Sequence, residues 1–199
     1  MISQEKLKVM VGLFVVNTFF SLITFTIGQG YFKDKEKTLP FDLGHSLLPD
    51  QSNDSYLQVL SFLMFSIPIV LGPEFQQEFM KYGILLIIIR HTIGILTITN
   101  PHKYKTCDKT YKIQYSILGH CYENSFNFAF ANAVLIVLLM VDFNYSNWFT
   151  CSFLVASSVI LLLLRTGTSV ELLFTGLLMY FIKSMGIVDQ LPSFLQVAN

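Results

Sequence analysis

In this chain of 199 residues, 53% are hydrophobic and only 13% charged; its several apolar runs near 20 residues long are the pattern of membrane-spanning helices rather than of a soluble core. Thirteen basic and thirteen acidic side chains cancel, so no basic field exists to attract nucleic acid. Cys107, Cys121 and Cys151 match no metal-ligand spacing and make no disulfide framework; no metal or organic cofactor is expected.

The expected architecture is all-α, a single polytopic membrane domain over 1–199 with six transmembrane helices at about 9–27, 56–71, 79–98, 121–141, 149–164 and 170–185. The first run is uncharged, and Gly28-Gln29-Gly30-Tyr31 makes a poor signal-peptidase site, so it reads as a retained helix. A loop follows with alternating charges at Lys33-Asp34-Lys35-Glu36-Lys37. It continues through Pro40, Gly44, His45 and Pro49 as a structured turn, and Asn53-Asp54-Ser55 forms a glycosylation sequon.

Pro68 predicts a kink late in the second span, and Gly72-Pro73-Glu74 turns the chain into the third. Arg90 and His91 lie about two turns before the end of that third span, where an ionisable residue either faces the bundle or snorkels to the surface. The next loop holds His102, Lys103, Lys105, Lys109 and Lys112, then passes through Leu118-Gly119-His120 into the fourth span. Cys107 and Cys121 flank this loop, a spacing open both to pairing in an oxidising lumen and to two free thiols.

His120, Glu123, Asn124, Asn127 and Ala131 recur at helical spacing, predicting a polar, small stripe on the fourth helix, with Asn127 and Asn132 bonding between helices. A tight turn at 142–146 and an interfacial Trp148 introduce the fifth span. After Arg165-Thr166-Gly167-Thr168-Ser169, the sixth span carries Glu171 in its first turn, where Thr168-Ser169-Val170-Glu171 fits a capping box. Lys183 near its end is placed to snorkel. Six spans put His45, His102, His120 and Arg165 on one face.

The order and spacing of four stretches resemble the sphingomyelin synthase and lipid phosphate phosphatase superfamily. Leu39-Pro40-Phe41-Asp42-Leu43-Gly44-His45 is similar to its proline-rich loop after the first span, and Arg90, Thr97, Pro101 and Cys107 follow its third-span stretch. Leu118-Gly119-His120 stands where that family has Ser-Gly-His, and Arg165 to Glu171 where it has an Arg-x-His motif ending in an aspartate.

The resemblance implies double displacement by a histidine nucleophile oriented by a carboxylate, with His120 as acid for the leaving oxygen. Gly167, however, occupies the nucleophile position and has no side chain, and Glu171 replaces the aspartate. The expected protein is therefore catalytically inactive. Arg90, His120, Arg165, Thr168 and Ser169 would hold a lipid phosphate, helped by the helix N-terminus at Thr168 and Ser169. It would serve as a lipid-headgroup binder or as a structural subunit of a membrane complex.

The alternative is an active lipid phosphatase or headgroup transferase with a displaced nucleophile at His45, His91 or His102. A channel or transporter fits less well, since intramembrane charges are few and no inverted repeat is visible. Expected partners are membrane lipids and other membrane subunits, in the endoplasmic reticulum, the Golgi or the mitochondrial inner membrane. Sidedness is pulled two ways: the resemblance puts the first, third and fifth loops outside, whereas their lysines argue for inside.

Overall fold

The structure is a computed structural model and describes residues 4–32, 47, 54–98, 111, 113, 122, 126–163 and 168–187. The described residues are helical and contain no strand. Among the described residues the helices run in the order α1 (Gln4–Phe32), α2 (Asp54–Val70), α3 (Pro73–Leu96), α4 (Phe128–Asp142), α5 (Asn147–Leu163) and α6 (Ser169–Ser184). Two of them, over Val11–Phe32 and Pro73–Leu96, are long and apolar enough to cross a membrane; α2, α4, α5 and α6 have 15 to 17 residues each.

Local chemistry sets the boundaries. Gly72 takes φ 108°, a conformation that a Cβ would strain, and Pro73 follows at the first helical position, so α3 starts six residues earlier than its apolar run. α2 continues through Pro68 to Val70, near the helix end where few downstream bonds are at stake. The expected turn at 142–146 is present: Asn144 adopts φ 56° and the Tyr145 N–H donates to the Met140 carbonyl at 2.9 Å.

The fourth helix departs from expectation. It begins at Phe128, not near Cys121, because Asn127 is its N-cap: its backbone is extended (φ −84°, ψ 96°) and its Oδ1 accepts from Phe130 N–H at 2.9 Å. Of the expected stripe, Asn127 caps the helix and the Ala131 N–H donates to its carbonyl at 2.9 Å, while His120, Glu123 and Asn124 lie outside the described residues. Asn132 donates to the Phe128 carbonyl of its own helix at 2.9 Å rather than to a neighbour.

α4 is the hub. Ala131, Ala133, Leu135, Ile136 and Met140 are fully enclosed, and α2, α3, α5 and α6 pack around it, while α1 lies chiefly against α3. The Asn127 N–H donates to Thr175 Oγ1 of α6 at 3.2 Å, and at the opposite end Lys183 of α6 pairs with Asp142 of α4. These two contacts make α4 and α6 parallel, as alternating helices with short turns require.

The α2–α3 and α4–α5 turns share that second end, where the Tyr145 hydroxyl donates to the Leu71 carbonyl at 2.9 Å and Phe75 packs on Phe143. The Lys183 ammonium lies 5.4 Å over the Tyr82 ring besides its pairing with Asp142.

Around a largely apolar core, two helices turn polar residues inward and large apolar ones outward. On α1, Asn17, Ser21, Thr24, Phe25 and Gly28 face inward at helical spacing, while Val11, Val15, Phe19 and Leu22 face outward. On α6, Thr175 is buried while Leu173, Phe174, Leu177 and Phe181 are exposed. On these two helices small and hydroxylated residues meet neighbouring helices while large apolar ones face outward, a pattern also found in helices packed within lipid.

Candidate functional site

Arg90 comes from the fifth turn of α3, on the helix face that meets α1. It does not snorkel: it is 1% exposed. Its Nη1 donates to Asn17 Oδ1 at 3.2 Å and its Nη2 to Ser21 Oγ at 3.3 Å, both on α1. The guanidinium carbon lies 4.5 Å above the Phe128 ring at the start of α4, within cation–π range. His91, also buried, donates from Nε2 to the same Asn17 Oδ1 at 3.0 Å and rests against the Phe20 ring.

The spacing of Asn17 and Ser21, one turn apart on an otherwise apolar helix, allows both to reach one guanidinium. Thr24 continues the row but spends its hydroxyl on its own helix, donating to the Ser21 carbonyl at 3.1 Å. The result is a cationic, hydrogen-bonded knot joining α1, α3 and α4 inside an apolar bundle. The sequence reading missed Asn17 and Ser21, although their i, i+4 placement was a usable signal.

Thr168 and Glu171 form the expected capping box at the start of α6, with Ser169 the first helical residue. The Glu171 N–H donates to Thr168 Oγ1 at 3.2 Å, and the Thr168 N–H donates to Glu171 Oε2 at 2.8 Å. The protein thus supplies its own anion to this helix N-terminus, and an incoming phosphate would meet the negative carboxylate there. His120, Arg165 and Gly167 lie outside the described residues, as do His45, His102, Cys107 and Cys121. Cys151 is an exposed free thiol on α5.

Aromatic packing holds part of the α3–α4 connection onto α1. Tyr122 rests edge-on to Phe25, 5.7 Å between centroids, and Tyr111 meets the same ring at 5.6 Å. Gly28 makes this possible: a Cβ there would lie 2.4 Å from the Tyr122 ring. Burial pushes the Tyr122 phenol above its ordinary pKa, keeping it a neutral packing element.

Beside the polar knot lies an apolar cleft of about 140 Å³ between α1, α2, α3 and α4, with Asn17 and Phe128 among its lining residues. Asn17 thus faces both the cleft and the guanidinium. Among the described residues no three His, Cys, Asp or Glu side chains converge in a metal-binding group. Compared with known proteins, the chain matches no family model, no curated protein and no solved structure.

Proposed function

We propose that the chain is an integral membrane protein, with all six helices spanning the bilayer, that holds an anionic lipid headgroup without transferring it. The observation that carries this reading is a buried Arg90 and His91 knotted to Asn17 and Ser21, surrounded by helices that expose Val, Leu and Phe outward. A charged side chain in that position marks a functional site more often than a packing accident. The four shorter helices reach roughly 22 to 26 Å, less than a hydrocarbon core of about 30 Å, so they cross where the bilayer thins or flanking residues extend them.

The resemblance to lipid phosphotransferases supplies the headgroup, and Gly167 at the nucleophile position removes the chemistry. Arg90 is the anchor from α3, and the resemblance adds His120 and Arg165 to it; the start of α6, where the Glu171 carboxylate already takes the Thr168 N–H, is left out of the site. The outward apolar faces meet lipid or neighbouring subunits of a membrane complex.

The test is to incubate the purified full chain in nanodiscs with phosphatidate, phosphatidylcholine or ceramide. Binding of a phosphate-bearing lipid without headgroup release is expected. Headgroup release that His120→Ala abolishes would overturn the reading.

A further inference from the structure

We infer that the outward face of α6 gathers short-chain phospholipid, holding a thinned patch of bilayer on one side of the bundle while α1 faces a core of ordinary depth. This rests on the reading that the helices span the membrane, and adds which lipid the bundle collects and where.

The two lipid-facing surfaces differ in height. On α1 the exposed apolar residues run from Val11 through Val15, Phe19, Leu22 and Ile27 to Tyr31. At 1.5 Å per residue that is roughly 30 Å, which matches a hydrocarbon core of about 30 Å. On α6 they run from Val170 through Leu173, Leu177 and Phe181 to Met185, roughly 22 Å by the same rise. α1 lies chiefly against α3, and α6 against α4, so the two faces meet different parts of the surrounding lipid.

The short face is fixed at both ends. Thr168 caps the start of α6 with an extended backbone (φ −87°, ψ 159°), and beyond the last turn Gly186 takes φ 59°, which leads the chain out of the helix. The neighbouring hub is no taller, since α4 has 15 residues between Asn127 and Phe143, its two caps.

A span shorter than the core is accommodated by snorkelling, by oligomerising or by thinning of the bilayer. Snorkelling is spent, because Lys183 turns inward to Asp142 and lies 5.4 Å over the Tyr82 ring. Oligomerising calls for small residues that let backbones approach. α6 turns its small residues toward α4: Thr175 receives the Asn127 N–H, and a Cβ on Gly176 would lie 3.3 Å from the Phe130 ring. Outward it shows Leu173, Phe174, Leu177, Tyr180 and Phe181, large side chains suited to acyl tails. The bilayer therefore gives way, by about 8 Å on this side.

The test reads lipid composition at each face. In a Trp148→Phe background, Phe174→Trp reports from α6 and Phe19→Trp from α1, both at exposed positions. Each full-length variant is placed in vesicles of equal dimyristoleoyl- and dierucoyl-phosphatidylcholine, with one lipid or the other brominated as quencher. The shorter lipid is expected to be enriched at Phe174→Trp by about twofold or more over its share at Phe19→Trp.

Equal quenching ratios at the two positions overturn the inference. Quenching at Phe19→Trp with protection of Phe174→Trp from both lipids means that protein covers α6; it overturns the inference and leaves the membrane reading standing. Absence of quenching at both positions removes the two together. Should a variant unfold, the unsubstituted chain decides: its thermal midpoint is expected to fall from dimyristoleoyl through dioleoyl to dierucoyl vesicles, and a midpoint that rises along that series overturns the inference.

Discussion

The bond between Asn17 and Arg90 is open to a double-mutant cycle. Asn17→Leu removes the acceptor that receives both the Arg90 Nη1 and the His91 Nε2. Depriving buried donors of a partner costs about 1–3 kcal/mol in a protein interior. Arg90→Leu leaves the Asn17 oxygen bonded to His91, so its cost is expected to be smaller. In the double variant the shared bond is counted once. Hydrogen bonds between helices within a bilayer average about 0.6 kcal/mol and reach about 1.7, and a guanidinium donor lies toward the upper figure. The expected coupling is therefore about 1 kcal/mol. Denaturant unfolding in micelles, followed by far-ultraviolet circular dichroism, measures it. A coupling below about 0.3 kcal/mol, the level at which independent sites add, would mean that the two side chains do not share a bond and that α1 is held by other means.

Other outcomes follow from single contacts. Thr168→Ala deletes the cap of α6 and should destabilise the protein by about 1 kcal/mol, seen as faster amide exchange in the first turn of that helix. Gly28→Leu drives a side chain into the Tyr122 ring and should cost about 1–3 kcal/mol, read as a lower thermal midpoint with Tyr122→Ala as partial rescue. Lys183→Met breaks the pairing with Asp142, but both groups are partly solvated and the change should stay within about 0.5 kcal/mol. Trp148, the single tryptophan of the chain and 85% exposed, should be quenched by brominated lipid in a bilayer; quenching by aqueous iodide alone would speak against the start of α5 lying at the membrane.

Helix positions were legible because long apolar runs broken by Gly, Pro and Asn leave little choice. The start of α3 was not: Glu74, Glu78 and Lys81 make its first turns polar, and only the Gly72-Pro73 pair announces them. The late start of α4 was hidden for the opposite reason, since Asn127 satisfies a helical period as readily as a cap. The capping box could be read from Thr168 and Glu171 because its two bonds are local. Arg90 was ambiguous because snorkelling and burial depend on what stands opposite, and Asn17 and Ser21 lie some seventy positions away in sequence.

The extended backbone at Asn127 bears on how the chain is made. Its N–H has its acceptor in Thr175 on α6, 48 positions later in the chain, and a buried amide deprived of its partner is destabilised by about 1–3 kcal/mol. The entry of α4 therefore cannot settle when α4 emerges; it waits for α6. Chains shortened before Thr175 would leave the start of α4 without this acceptor, and such truncations should be degraded even though α1, α2 and α3 are complete.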